Sequence, residues 1–324
     1  MKLVVALSVI LLVAWKVFSA DKNSQNSITD TCKTQDLGVI IVSAAAKSEK
    51  NATVNVIDKE TLLSTGAVNV ADALGLIPGV GITVGQKNEA KIMIRGVSAE
   101  RVLLMIDGRP INMPYYGSLD LKTVQLDNIS QIQVSKGTPS LLYGVNGCGG
   151  VVNIISESFS GNDQFSVGVK AGLGDVLNRR ILSDVGIKKN NIELKTTFSG
   201  NISDGYRLSD KFASPLGIED GGVRDNSDVK QYNLTGKVKY DFTDKNSAAI
   251  TGGYFTSNKG IPSPTDFAQF RRFRKWQRYF TDFTGSFLIS SDLRLKSKVY
   301  YDNFKNERRR KLRRLRGSDS PLHR

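Results

Sequence analysis

Side chains able to carry out covalent or metal chemistry are few in this sequence of 324 residues. Its only histidine, His323, lies in a basic tail, and its two cysteines are Cys32 and Cys148. We find no nucleophile elbow, no cluster of metal ligands and no phosphate loop, because the glycine-rich run 144–150 is not followed by Gly-Lys-Ser/Thr. We therefore expect no catalytic residues, no metal site and no cofactor. Cysteine pairing cannot be read from sequence alone, and we expect both cysteines to be unpaired.

A polar N-terminal arm contains one segment whose backbone could pair with another strand. Residues 21–50 are polar except for the run Leu37-Gly-Val-Ile-Ile-Val-Ser43. A short β-branched run of this kind can pair, through its backbone N–H and C=O groups, with the exposed edge of another protein's sheet. It can equally be the first strand of the domain that follows, and the residues by themselves leave both interpretations open.

The net charge of +14 first suggests nucleic acid or an anionic lipid surface as a partner. The distribution of the charge argues otherwise, because residues 305–324 hold nine Lys or Arg against Glu307 and Asp319, about half of the excess. The rest of the chain is only mildly basic, so we expect no nucleic-acid partner.

The N-terminus has the pattern of a secretory signal peptide over residues 1–20. Lys2 precedes an apolar run at residues 3–14, and Ser19 and Ala20 offer a cleavage site. The apolar run is shorter than the ~20 residues of a spanning helix. We predict an exported protein in which any passage through a membrane is made by strands.

Residues 51–160 have the pattern of a compact α+β domain. One helix is predicted to begin at Asp58, whose carboxylate can cap it, and a second to end before Pro78-Gly79. The second helix is predicted at about 69–76, and strands are predicted at 54–57, 80–84, 90–95, 102–106, 129–135 and 151–155. A turn at 107–110 is predicted to end the strand 102–106.

Residues 161–304 have a different sequence pattern, in which apolar side chains recur at every second position. This alternation predicts seven strands, near 164–173, 180–188, 191–201, 229–242, 247–256, 276–289 and 293–304. The links after the second, fourth and sixth strands are short, whereas those after the third and fifth, 202–228 and 257–275, are long. Such alternation of short turns and long loops is typical of outer-membrane β-barrels and has no reason to occur in a soluble sandwich.

Six motifs of the α+β domain resemble, in order, those of the plug domain of TonB-dependent outer-membrane receptors. They are Thr65–Leu74 with Ile77-Pro-Gly-Val80, Ile92-Met-Ile-Arg-Gly96, Arg101–Asn112, Leu126–Val134, Thr138–Gly144 and Gly149–Ile155. Each motif is weak alone, but together they identify the segment as a member of this family. The resemblance implies an α+β plug domain followed by antiparallel transmembrane β-barrel strands, here a partial barrel of about seven strands.

The resemblance also implies a transport mechanism energised through the TonB protein and its inner-membrane complex. The plug fills the barrel, and a ligand of the ferric siderophore or cobalamin class binds from outside the cell outer membrane, whose lipid surrounds the barrel. The N-terminal segment that pairs with TonB, the TonB box, then corresponds to Leu37, Val39, Ile40, Ile41, Val42 and Ser43.

Two further sets of site residues follow from the resemblance. Arg95 and Lys136 match positions where the family carries arginines that pair with barrel glutamates, a plug–barrel latch, although a lysine lacks the bidentate fork of arginine. The apical plug loops that contact ligand correspond to 85–89 and 113–118, where we select Gln86, Lys87, Tyr115 and Tyr116.

The chain departs from the family in its strand count, since family barrels have about 22 strands. An open sheet leaves unpaired backbone groups at both edges, which is costly in hydrocarbon.

Residues 305–324 show no alternation, which suggests a truncated or frame-shifted gene, or alternatively a basic helix that binds the phosphates of nucleic acid or lipid. The alternative function is therefore a truncated fragment that does not transport, either a binding module or a gene remnant.

Overall fold

The structure is a computed structural model, and it describes residues 53–311 with several short gaps. The gaps are residues 86, 114–116, 118, 127, 138–146, 160–163, 213, 215–218, 220 and 265–269, and the side chains of 270 and 309–311 are also left undescribed. The predicted signal peptide, the TonB box, Gln86, Tyr115 and Tyr116 lie outside the described residues. The described residues belong to one compact unit.

The first half of this unit is an α+β domain built on a five-stranded sheet in the order β1-β6-β7-β4-β5. The β4–β7 pair is parallel and the others are antiparallel. A separate hairpin pairs β2 with β3. The elements are β1 Thr53–Asp58, α1 Lys59–Ser64, α2 Val70–Leu74, β2 Val80–Val84, β3 Ala90–Ile94, β4 Val102–Ile106, β5 Arg109–Pro110, β6 Ile129–Lys136 and β7 Gly150–Ser156.

Side chains at the ends of the helices explain where both helices begin. The Asp58 carboxylate accepts a hydrogen bond from the Thr61 backbone N–H at 2.8 Å, which satisfies one of the free donors of the first turn. Asn69 and Asp72 cap α2 reciprocally.

The prediction that α2 extends to residue 76 was wrong, because the helix already ends at Leu74, four residues before Pro78. Residues 109–110, expected to be part of a turn, pair with β4 as a short strand.

The core of this domain is formed by side chains from both helices and from the two sheets. Its most deeply buried members include Val70, Leu74, Ile92, Leu104 and Ile132. Burying an aliphatic side chain of this size contributes about 1.5–3 kcal/mol, so this cluster holds the helices against the strands.

Gly150 is the position where the backbone of this domain leaves least room. It opens β7 with φ of 137°, in the range that L side chains rarely adopt. A Cβ atom built there would lie 2.6 Å from the Ser135 carbonyl oxygen on β6. Only glycine fits where β6, β7 and β4 meet.

The second half is a sheet of seven antiparallel strands in sequence order from β8 to β14. The strands are β8 Gln164–Gly174, β9 Asn178–Lys189, β10 Ile192–Ser203, β11 Val229–Thr243, β12 Asn246–Ile261, β13 Phe270–Leu288 and β14 Arg294–Lys311. The predicted fold class, an α+β plug domain followed by about seven antiparallel strands, is confirmed.

The last three strands are longer than the sequence pattern predicts. The expected long link 257–275 is mostly strand, since β12 reaches Ile261 and β13 begins at Phe270, and β14 continues past residue 304 to Lys311. Backbone pairing does not need an apolar side chain at every second position, whereas the prediction relied on that alternation. We call the end of the sheet that carries links 175–177, 204–228 and 262–269 the long-loop end.

The two faces of the sheet differ in chemistry. One face presents exposed apolar side chains, among them Phe165, Leu194, Leu234, Ile250 and Val299. The other faces the α+β domain and carries the charged and polar side chains described below. Neither helix of the described segments has the length and hydropathy required to cross a membrane.

Candidate functional site

The contact between the α+β domain and the long sheet is centred on Arg109. This side chain is 1% exposed, and its Nη1 donates a hydrogen bond to Oδ2 of Asp302 on β14 at 2.6 Å. Its Nε lies 3.4 Å from Oδ2 of Asp282 on β13. The guanidinium also stacks over the Phe280 ring, 3.8 Å from the ring centroid. A single side chain from β5 therefore meets two strands of the long sheet.

Two more cations from the sheet complete this cluster. Arg278 donates through Nε to Oδ1 of Asp302 at 2.9 Å, and its guanidinium lies over Phe304. Lys298 donates to the Asp107 carbonyl at 2.6 Å and lies 3.8 Å from Asp282. We call Arg109, Arg278, Asp282, Lys298 and Asp302 the Arg109 clamp.

The charge state of Arg109 follows from its surroundings. Burial lowers the pKa of its guanidinium, as does the nearby Arg278, whereas Asp302 and Asp282 raise it. An arginine side chain is effectively always protonated in proteins, so the group stays charged at neutral pH. A buried charge of this kind is tolerated only while its carboxylate partners remain in place.

A second buried ion pair joins the two halves nearer the long-loop end. Nζ of Lys259 on β12 lies 2.7 Å from Oδ2 of Asp120, and the side chains are 6% and 2% exposed. Oδ1 of Asp120 accepts hydrogen bonds from the backbone N–H groups of Ala90 and Lys122. Lys259 thus fixes the loop that carries Asp120 to the wall formed by β12.

A third link is made by Glu157, which follows β7. Its carboxylate oxygens lie 2.6 Å from Nζ of Lys59 on α1 and 2.9 Å from Nζ of Lys195 on β10. Burial raises the pKa of Glu157, but its hydrogen bonds and the charges of the two lysines outweigh burial, so the pKa lies below its ordinary value.

We expect this third link to weaken in acid. Because the pKa of Glu157 is lower in the folded than in the unfolded chain, its contribution is present above the unfolded value of about 4.3 and is lost as the pH falls through the folded value. In detergent-solubilised chain, the difference in melting temperature between wild type and Glu157→Gln should therefore shrink as the pH falls from neutral to about 3. Glu60→Gln, a change at an exposed carboxylate of α1, is the control. A difference that stays constant with pH would contradict the assignment.

An apical cavity of about 220 Å³ lies between loops of the α+β domain and the long-loop end of β13 and β14. Its lining residues are Lys87, Glu89, Lys91, Met113, Leu119, Asp120, Phe273, Trp276, Asn306 and Arg308. The Phe273 and Trp276 rings pack 5.1 Å apart and form an aromatic wall. The cavity combines an apolar wall with several charged groups, which is the usual make-up of a small-molecule site.

Of the residues selected from sequence, Lys87 lines this cavity. Arg95 is exposed, with a φ of 49°, and Lys136 is buried and donates from Nζ to the Pro78 carbonyl within the same domain. The plug–barrel latch at these two residues therefore stays a prediction. Cys148 is exposed. Among the described residues, no three His, Cys, Asp or Glu side chains form a group that could hold a metal ion.

The residues of the Arg109 clamp and the Asp120–Lys259 pair were not found by sequence reasoning. Asp282 and Asp302 occupy plug-facing positions of alternating strands, where a carboxylate in an ion pair cannot be told from one in water. The only sign of the Arg109 clamp in the sequence is Arg109 itself, which stands between a predicted buried strand and Pro110. That residue was interpreted only as part of a turn.

Comparison with known proteins identifies the α+β domain. Residues 46–151 match the family model of the TonB-dependent receptor plug domain. Residues 46–151 therefore belong to the TonB-dependent receptor plug-domain family, and the chain as a whole is similar to TonB-dependent receptors. This is a family of outer-membrane receptors and transporters, which agrees with the motif-based identification.

Relatives of this chain include two vitamin B12 transporters named BtuB. The protein from Photobacterium profundum is 31% identical over 144 residues, which cover 44% of this chain and 22% of the relative. The protein from Vibrio vulnificus is 25% identical over 231 residues, 70% of this chain and 36% of the relative. The chain thus spans well under half the length of these relatives.

Solved structures share the fold of this chain. The copper transporter OprC superposes with a TM-score of 0.64 at 16% identity, covering 78% of this chain and 37% of that protein. The unliganded ferric citrate transporter FecA superposes with a TM-score of 0.61 at 21% identity, covering 77% and 39%. In both, the likeness extends over the plug domain and the long sheet.

Proposed function

We propose that this chain acts in TonB-dependent uptake of a scarce, large ligand of the ferric siderophore or cobalamin class across the cell outer membrane. The observation that carries the proposal is the seating of a plug domain on the polar face of an antiparallel sheet through three charged links, two of them buried and the third, at Glu157, half-buried. A plug held by ion pairs, and not by a continuous apolar interface, can be displaced when its partners are pulled apart. A plug that must move to let a ligand pass requires such a reversible attachment.

The dimensions of the sheet support placement in an outer membrane. Strands β8 to β10 have 11 or 12 residues. At about 3.4 Å per residue and a tilt of about 45°, such strands span roughly 26–29 Å, close to the ~25 Å apolar band of outer-membrane proteins. The face away from the plug carries the exposed apolar side chains that lipid requires. Export by the N-terminal signal peptide is part of this proposal.

The apical cavity supports the assignment of ligand entry to the long-loop end. It lies between the plug loop that contains Lys87 and strands β13 and β14. A ligand bound there touches both the plug and the wall, so occupancy can change how they are joined.

We expect the interaction with TonB to depend on the backbone of residues 37–43. Replacing Ile41 by proline removes one backbone N–H and fixes φ, which should reduce retention of the receptor on immobilised TonB C-terminal domain by about tenfold or more. Ala45→Pro, in the same arm but beyond the TonB box, should leave retention unchanged. Equal retention of the two variants would exclude pairing through this segment.

A further inference from the structure

The face of the long sheet that points away from the plug changes in chemistry along its strands. We call this surface the outer face. Near the end opposite the long-loop end it is apolar, and the rings of Phe242 and Phe287 lie 6.0 Å apart there. Such a face in an outer-membrane protein is bounded by aromatic side chains. On β11 to β14 the exposed aromatic side chains nearer the long-loop end are those of Tyr232, Tyr254, Tyr279 and Tyr301.

Three lysines lie beyond this tyrosine row, toward the long-loop end. They are Lys230 on β11, Lys275 on β13 and Lys305 on β14, and all three are exposed. Their neighbours along the strands face the plug, as Trp276 and Asn306 do at the apical cavity. Because side chains alternate between the two faces of a strand, the lysines point outward.

The register brings these lysines within reach of a single ligand. Only β12 separates the strands of Lys230 and Lys275, which places those strands about 10 Å apart. Lys275 pairs with Glu307, so Lys305 stands diagonally across from it. Residues in that diagonal arrangement lie about 7–8 Å apart. The three ammonium groups therefore cover an area suited to a headgroup that carries more than one anionic group.

The outer face at this end remains positively charged after its own ion pairs are counted. Arg272 is already engaged by Asp228, whose Oδ2 accepts a hydrogen bond from Nη1 at 2.8 Å. Glu307 stands opposite Lys275 in the register and is the other carboxylate beside these lysines. Within the described part of the chain, none of the three lysines has an ion-pair partner. Three lysines against Glu307 leave an excess of positive charge.

We propose that Lys230, Lys275 and Lys305 bind the phosphate groups of a phosphorylated glycolipid of the lipid A class, in the outer leaflet of the outer membrane. The inference rests on the membrane placement within the proposed function. A phosphate monoester carries nearly two negative charges at neutral pH and three strong acceptor oxygens, and basic clusters beside a membrane recognise such headgroups. Lipid A carries a phosphate at each end of a disaccharide, which matches lysines distributed over β11, β13 and β14.

The position of the lysines relative to the apolar surface supports this assignment. A lysine can lay its aliphatic stem along apolar side chains while its ammonium group reaches the headgroups. The three lysines stand two residues from Tyr232, four from Tyr279 and four from Tyr301, each on the same strand as its tyrosine. That distance suits a headgroup directly above the hydrocarbon.

Native mass spectrometry of the purified, detergent-solubilised chain tests the inference by counting bound lipid molecules. The probes are diphosphoryl lipid A, the same glycolipid without phosphates, phosphatidylglycerol and inorganic phosphate. We expect diphosphoryl lipid A to bind at least about tenfold more tightly than the other two lipids, and its affinity to fall as salt is raised. Inorganic phosphate at the same concentration should not displace it, because a free anion lacks the acyl chains that pack on the outer face.

Two variants with the same change of charge give the matched control. Lys305→Glu acts in the lysine cluster, whereas Lys189→Glu acts on an exposed lysine of the outer face at the other end of the sheet. We expect Lys305→Glu to weaken lipid A binding by at least about tenfold and Lys189→Glu to leave it unchanged. Lys305→Gln removes the charge without reversing it and should give a smaller loss. A cooperative melt establishes that each variant is folded.

Equal binding of lipid A and phosphatidylglycerol, equal loss in the two charge reversals, or displacement of lipid A by inorganic phosphate would overturn the inference while the receptor function stands. Fractionation of cells that express the chain tests the proposed function separately. Absence of the folded chain from the outer-membrane fraction would reject the membrane placement on which both depend.

Discussion

Replacing Arg109 by alanine should loosen the plug from the wall and lower the free energy of unfolding by about 3 kcal/mol or more. The change leaves the carboxylates of Asp282 and Asp302 in a buried site with one cation fewer, and it removes the guanidinium stacked on Phe280. Urea unfolding of the detergent-solubilised chain gives the free energy. Limited proteolysis gives the accessibility of the plug, which should rise.

Controls for this prediction are available within the same domain. Arg101→Ala removes an exposed arginine close in sequence and should leave both measurements near wild type. Arg109→Lys keeps the charge but loses the fork, so an intermediate loss is expected. In a double-mutant cycle, Arg109→Ala and Asp302→Asn should be less than additive, because they act on one ion pair. Additive losses would show that the clamp is not an energetic unit.

Replacing Gly150 by alanine should destabilise the plug by about 3 kcal/mol or more. The backbone there has a φ of 137°, which strains any L residue by about 1–3 kcal/mol. The new Cβ would also lie 2.6 Å from the Ser135 carbonyl oxygen, so β6 or β7 must shift, at a further cost of about 1–3 kcal/mol. The midpoint of urea unfolding measures the loss.

Gly172→Ala is the matched control for this substitution. Gly172 lies in β8 without positive φ, and a Cβ built there meets no atom within 4 Å. Its variant should unfold at or slightly above the wild-type midpoint, because alanine restricts the unfolded chain more than glycine does. If Gly150→Ala unfolds at the same midpoint as Gly172→Ala, the strands β6, β7 and β4 can shift at a smaller cost in free energy than the geometry indicates.

Local signals in the sequence were sufficient for most elements of the fold. Asp58 marked the start of α1 because a capping side chain acts within three residues of itself, and the start of α2 was predicted to within one residue. Period-2 alternation located all seven strands of the long sheet, since each strand needs one apolar face. The missing segments of β12, β13 and β14 were not predicted because apolar side chains stop recurring at every second position there, although the backbone pairing continues.

Contacts between distant residues were not accessible in the same way. Arg109 and Asp302 are 193 positions apart, and no local pattern links them. The family resemblance directed attention to Lys136 instead, and that side chain donates to Pro78 inside the plug. Lys87 was selected for its place in an apical loop, which a motif can locate. Its neighbour across the cavity, Arg308, depends on the register of β14 and cannot be read from the sequence.

The position of Trp276 gives the protein a spectroscopic marker of its own. The sequence contains two tryptophans, Trp15 and Trp276, and the first lies in the predicted signal peptide. After export the indole of Trp276 would be the only tryptophan fluorophore, held in the wall 5.9 Å from the Lys259 ammonium and facing the plug. A red shift of its emission would then signal water entering between plug and wall. Displacement of the plug could thus be followed in real time without attaching a dye.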